Sequence, residues 1–256
     1  MVIGYRELAG ILRERIESGI YPEPSHNTLP KHADLAAEFD INVKTVRMAV
    51  RLLEAEGLVT AIRRRGTVIR RPPAMTRLGA ERYAKNKWRS GVVAFAADRE
   101  ASGRSWERGD QTNRVRLVEA DAEAAAALGL PEGAPVYERA RLVRDQGSPT
   151  HKLTSFYRPE DVQGTPLVSP EPGPAGHGGG FAVLASIGLE PDVITESLYS
   201  RMPTPDEVAE LELPTGVPVV VLKRKTSTRE GRIIEFARGV HSSLHFEWTY
   251  TFKIPE

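Results

Sequence analysis

Six residues of this 256-residue chain recur at one fixed offset. Leu128, Leu130, Pro131, Gly133, Pro135 and Val136 are matched 83 positions later by Leu211, Leu213, Pro214, Gly216, Pro218 and Val219. A helix is predicted ahead of each copy: alanine-rich Asp121 to Leu128 in the first, and Asp206 to Leu211 behind a Pro-Thr-Pro start in the second. A strand is predicted after each, Val136 to Val143 and Val217 to Thr226. Each strand meets a turn (Asp145 to Ser148, Arg229 to Arg232) and returns through Thr150 to Tyr157 or Ile233 to Val240. Two helix-then-hairpin units bury their apolar faces most simply as a mostly antiparallel sheet covered by helices, an α+β domain.

Between the copies, residues 170–180 are rich in glycine and proline and read as a loop. Its glycine run is followed by Phe181 and lacks the Lys-Ser or Lys-Thr of a phosphate-binding loop. Phe181 to Ile187 is predicted as a short buried helix, Ile194 to Tyr199 as a strand, and Glu247 to Ile254 as the closing strand.

The first 70 residues follow a different period. Tyr5, Leu8, Leu12 and Ile16 recur at helical spacing, and Gly19 ends that helix. A second helix is predicted over Lys31 to Phe39, with Leu35, Ala36 and Phe39 inward. Asp40 and Ile41 turn the chain, and Asn42 caps a third helix reaching Glu56. Val46, Ala49, Val50 and Leu53 share one of its faces; Lys44, Arg47 and Arg51 share the opposite one, with Thr45 beside them. Leu58 to Ile62 can pair with Thr67 to Arg70, leaving a basic tip at Arg63, Arg64, Arg65 and Gly66. Two short helices, a tight turn and a basic hairpin make a winged helix-turn-helix.

Charge supports that reading only when taken locally. The whole chain carries a net +1, but residues 41–71 hold eight basic residues against two acidic ones, Glu54 and Glu56. A basic block of this kind suits phosphate, although a solvated basic face would look the same.

Residues 5–69 resemble the GntR family of regulators in the stretches YRELAGILRERIESG, LPKHADLAAEF, KTVRMAVRLLEAEGLV and RRRGTVI. The resemblance implies a homodimer that grips a short palindromic operator in double-stranded DNA. Recognition-helix N-termini would lie in the major groove and wings near the backbone. It assigns DNA contact to Asn42, Lys44, Thr45, Arg47, Arg51, Arg65 and Gly66. Ala33 and Val43 stand where the family usually has contacting arginines, which implies an altered operator. Arg47 is open to three roles: base contact, phosphate clamp or structural salt bridge.

Residues 90–254 resemble the UTRA effector domain of the HutC branch, carried by LGLPEGAPVYERARLVRD, ITESLYSRMPTPDEVAELELPTGVPVVVLKR and GRIIEFA. What this implies is a chorismate-lyase-like fold and a small-molecule effector. Expected domains are therefore residues 1–71 for DNA binding, a linker over 72–90, and 91–256 for effector binding and dimerisation. Arg139 and Arg141 lie two apart on a strand and project from one face, where guanidinium forks suit an anion; exposed pairs with Glu138 are the alternative. The resemblance adds Glu235 to them as pocket residues, and places Thr154, Ser155, Arg238 and His241 on strands that align with other pocket positions. Leu153 replaces the carboxylate of amino-sugar-phosphate sensors, and Ser242 to His245 replace a usual Arg-Gly-Asp-Arg segment, so a more apolar anion or a vestigial pocket is implied.

The remaining chemistry is negative. The absence of cysteine excludes disulfides, thiolate zinc and cysteine nucleophiles, and fits a cytoplasmic protein. No Gly-x-Ser-x-Gly elbow is present, and His241 and His245 would share a metal only on a helix. With no membrane-length apolar run, the reading is a soluble non-enzyme without metal or cofactor: a repressor released from its operator by an effector. The alternative is a constitutive repressor with a dead pocket, for example of a mobile element's own genes.

Overall fold

A computed structural model describes residues 3–21, 28–62, 66–70, 75–170, 179–214 and 216–254. The chain divides into two compact units, Met1–Pro72 with Pro214–Val217, and Pro73–Leu213 with Pro218–Glu256.

In the first unit α1 (Tyr5–Glu17), α2 (His32–Glu38) and α3 (Val43–Ala55) precede a hairpin of β1 (Val59–Ile62) and β2 (Gly66–Ile69). Leu8 and Leu12 of α1, Leu35 of α2, and Val46, Val50 and Leu53 of α3 form one buried core with Val59 and Ile69 of the hairpin. Each large aliphatic side chain buried there contributes roughly 1.5–3 kcal/mol. Asp40 takes a left-handed φ of 48° in the turn between α2 and α3. Asn42 then accepts a hydrogen bond from the Lys44 backbone N–H, closing the first turn of α3.

The second unit opens with β3 (Met75–Leu78), a single tight helical turn at Ala80–Tyr83, α4 (Lys85–Arg89) and α5 (Ala94–Ala101). Then follow β4 (Gln111–Glu119), α6 (Ala122–Leu128), β5 (Pro135–Asp145), β6 (Ser148–Tyr157), α7 (Pro159–Val162) and α8 (Gly179–Ser186). The chain continues through β7 (Val193–Arg201), α9 (Pro205–Glu210), β8 (Val219–Ser227), β9 (Ile233–Ser242) and β10 (Phe246–Thr249). Six strands form one antiparallel sheet in the order β4-β5-β6-β9-β8-β7. That order is the internal repeat made visible. Each copy is a strand, a capped helix and a hairpin, and the copies meet at β6 and β9. Asp121 and Thr204 cap the equivalent helices α6 and α9. On one face α6 packs Ala124 and Leu128 against Val136, Phe156 and Phe236.

Three expectations change. Residues 75–90, expected in the linker, belong to the second unit: Trp88 is buried, and Arg77 is buried in an ion pair with Glu196. Their polar composition conceals charges that are paired rather than solvated. The closing strand is only Phe246–Thr249; it pairs in parallel with β3 outside the main sheet, and residues 250–254 have no regular structure. The edge strand β4, at Gln111–Glu119, was not anticipated at all.

Candidate functional site

On α3 the register turns Val46, Ala49, Val50 and Leu53 into the core and leaves Lys44, Arg47 and Arg51 exposed, with Thr45 half-buried beside them. Elsewhere in this unit arginines are committed. Arg13 is bonded to Glu56, and Arg15 to Glu38 at 2.6 Å. Lys44, Arg47 and Arg51 have no ion pair among the described residues, so the structural salt bridge open to Arg47 from sequence is not formed. An unpaired cation row on an outward helix is chemically ready for phosphate or for base edges. Gly66 opens β2 with a φ of 93°, a conformation that favours glycine. Arg63, Arg64 and Arg65 lie outside the described residues.

In the second unit, strand alternation sorts the expected pocket residues. Register places Arg139 opposite Ser155 and Arg141 opposite Leu153, with Val143 opposite His151. These residues share one face, and Arg139 and Arg141 form part of the wall of a cavity of about 120 Å³. Gln111 and Asn113 of β4 continue the same face, and Glu235 of β9 and Arg224 of β8 complete the polar part. Over it lie Tyr83 and Trp88, residues 92–95 and the start of α8.

Arg139 is 1% exposed, and its only printed hydrogen bonds run from Nη1 to the carbonyls of Ser169 at 2.8 Å and Leu167 at 3.3 Å. Neither acceptor is charged. Burial, with Arg141 close by, lowers its pKa to about 10, so it remains a cation at neutral pH. Arg141 donates to Ser155 Oγ and has no ion pair among the described residues. Both arginines thus bring uncompensated charge to the cavity.

Glu235 plays another part. Its carboxylate accepts from Ser155 at 2.6 Å, Tyr157 at 2.9 Å, Arg224 at 2.9 Å and Thr226 at 3.1 Å. Burial pushes its pKa up, but Arg224, Arg141 and these hydrogen bonds outweigh that and hold it at about 2. With both oxygens occupied, Glu235 positions Arg224 and Ser155, and through Ser155 it orients Arg141. Tyr83 continues the network by accepting from Arg224 and Arg77, each at 3.0 Å, and donating to Glu196 at 2.5 Å.

The other candidates fall elsewhere. Thr154 and Arg238 oppose each other on the far face of the sheet, where Arg238 is bonded to Asp121 and lies over Phe156. Alternation forbids Thr154 and Ser155 from facing the same cavity. His241 is buried behind His151, stacked on it at 4.7 Å. β9 ends at Ser242, so His241 and His245 do not share a helix face. Arg224 was missed by sequence reading, although it stands 83 residues after Arg141, the repeat offset itself. Arg82, Tyr83 and Trp88 were missed because they fall in the presumed linker.

The family model for bacterial regulatory proteins of the gntR family matches residues 4–69, and that for the UTRA domain matches residues 109–247. An uncharacterized HTH-type transcriptional regulator of Streptomyces coelicolor, SCO4628, is 50% identical over 98% of this chain and 93% of its own length. The HTH-type transcriptional repressor NagR of Bacillus subtilis is 24% identical over 96% of this chain and 93% of its own. A crystal structure described as a GntR-family transcriptional regulator superposes with a TM-score of 0.64 at 26% identity, covering 98% of both chains.

Proposed function

The chain belongs to the gntR family of bacterial regulatory proteins, in its HutC branch with a UTRA domain, and on that premise we propose that it is an operator-binding repressor released by a small anionic effector. The observation that carries the reading is the pair of buried guanidiniums, Arg139 and Arg141, that face one cavity without a carboxylate of their own. A buried cation without a counter-charge is costly, and an anion entering the cavity removes that cost. The anion meets Arg139 and Arg141 directly, while Glu235 and Ser155 hold the array in place.

In this proposal the protein acts as a cytoplasmic homodimer. Lys44, Thr45 and Arg47 of each α3 enter successive major grooves of a palindrome, with Asn42, Arg51, Gly66 and Arg65 supporting contact to the backbone. Residues 1–71 serve as the DNA-binding domain and the region beyond 90 as the effector and dimerisation domain. Effector binds one arrangement of the dimer more tightly, and that arrangement spaces the two α3 helices wrongly for the operator. The protein needs no metal or cofactor for this and is a binding protein, not an enzyme.

The test is fluorescence anisotropy on DNA taken from beside the gene. Tight binding that small carboxylates or phosphates weaken in wild type, but not in Arg139→Gln, is the expected result. Tight binding that no anion alters would favour the constitutive repressor, a reading that the apolar Leu153 in the cavity wall keeps in play.

A further inference from the structure

The effector cavity has a second polar end. Thr150 Oγ1 donates its proton to the Val143 carbonyl at 3.1 Å and lies 3.0 Å from His151 Nδ1. The hydroxyl has one proton, so toward the ring it is an acceptor, and Nδ1 carries the hydrogen. Burial and the surrounding arginines keep His151 neutral, its pKa well below the usual 6.5. Nε2 is therefore a hydrogen-bond acceptor on a residue that lines the cavity.

This acceptor stands at a defined distance from the cations. His151 is opposite Val143, two residues along β5 from Arg141. At about 3.3 Å per residue the two rows are about 7 Å apart, a span bridged by one ring substituted at opposite ends. A volume of about 120 Å³ fits that size, being close to the 150 Å³ or so that accepts benzene. The walls between the two ends are apolar and largely aromatic: Trp88, Phe95, Trp106, Phe181, Val143 and Leu153. Phe95 and Trp106 meet edge to face at 5.9 Å, which gives the slot a rigid side.

We propose that the cavity takes a small aromatic carboxylate bearing a ring hydroxyl, its carboxylate on Arg139 and Arg141 and its hydroxyl donating to His151 Nε2. A sugar phosphate fits the same charge but not the walls, because its ring hydroxyls would be stripped of water opposite aromatic carbon. Inorganic phosphate leaves both the walls and His151 unused. The inference rests on the anion-binding reading above and adds the chemical class of the anion.

Isothermal titration of the full-length protein with benzoate, meta- and para-hydroxybenzoate, para-methoxybenzoate and inorganic phosphate tests it. One hydroxybenzoate is expected to bind about tenfold more tightly than benzoate, the worth of one buried hydrogen bond. The methoxy compound, which lacks the donor, should show no such gain, and Arg139→Gln should lose all of these ligands. His151→Phe should reduce the hydroxybenzoate to the level of benzoate; the methoxy comparison in wild type makes the same distinction should that variant not fold. Equal binding of benzoate and both hydroxybenzoates overturns the assignment. So does phosphate binding more tightly than any of them in an Arg139-dependent way, which would still leave the anion pocket standing. If none of the anions binds, the pocket reading falls as well.

Discussion

His151 and His241 face each other across the central strands β6 and β9, their ring centroids 4.7 Å apart and their planes 6° from parallel. Phe246 meets both rings edge-on, and Trp248 meets His241. Burial is the first cause that holds both pKa values well below 6.5; Arg77 and Arg82 add to it, with Arg141 and Arg99 also acting on His151. In the unfolded chain each histidine takes up a proton as pH falls through its ordinary value, while the native pair does not. Their contribution is complete near pH 7 and above and is lost toward pH 5. With two protons involved, stability should fall by up to about 2.7 kcal/mol per pH unit below the ordinary value. Urea midpoints between those limits measure the slope, and His241→Phe should make it shallower; an unchanged slope would locate the protons elsewhere.

Gly239 lies under the same pair. A Cβ at this position would stand 2.7 Å from His241 Cε1 and 3.1 Å from Leu153 Cδ1. The histidine ring cannot swing away without breaking its stack on His151. Gly239→Ala should therefore destabilise the second unit by about 1–3 kcal/mol, as an overpacked core does. A denaturation midpoint equal to that of wild type would mean that the ring has room to move.

Tyr83 offers one hydroxyl to three charged side chains, accepting from Arg77 and Arg224 and donating to Glu196. Tyr83→Phe leaves those groups buried with one partner fewer. The expected loss is roughly 1.5–3 kcal/mol, the range for hydrogen bonds to charged groups. Chemical denaturation reads it directly, and a neutral substitution would mean that water replaces the hydroxyl.

How much of this was legible in the sequence depends on whether a residue's role is local. Asn42 as a cap, the buried row of α3 and the cation row opposite it follow from spacing alone, and the structure keeps all three. The repeat gave both hairpins, and carried one step further it would have given β4, since Gln111 and Glu119 stand 83 residues before Ile194 and Met202. The segment at 75–90 resisted because its arginines are solvated or buried according to partners 20 to 119 residues away, such as Leu78 N–H on Asp98 and Arg77 on Glu196. Arg238 resisted for a simpler reason: without its register, a strand arginine has two possible faces.

The last prediction settles what Arg47 does. Lys44 and Arg47 are both exposed and unpaired on α3, so geometry alone does not separate a phosphate contact from a base contact. Salt does. Each phosphate neutralised adds about 0.9 to the slope of log K against log salt, and a homodimer repeats every contact, so losing one per subunit should flatten the slope by about 1.8. A base-reading arginine behaves differently: its loss costs roughly 1–3 kcal/mol per site and relaxes preference at one base pair, leaving the slope nearly intact. From its place within the second turn of α3, on the row that starts at the helix N-terminus, Arg47 is expected to behave in the second way and Lys44 in the first. Anisotropy titrations of Lys44→Ala and Arg47→Ala at several salt concentrations, on the operator and on point-mutated operators, distinguish them. A flattened slope with unchanged base preference for Arg47→Ala would make it a phosphate clamp.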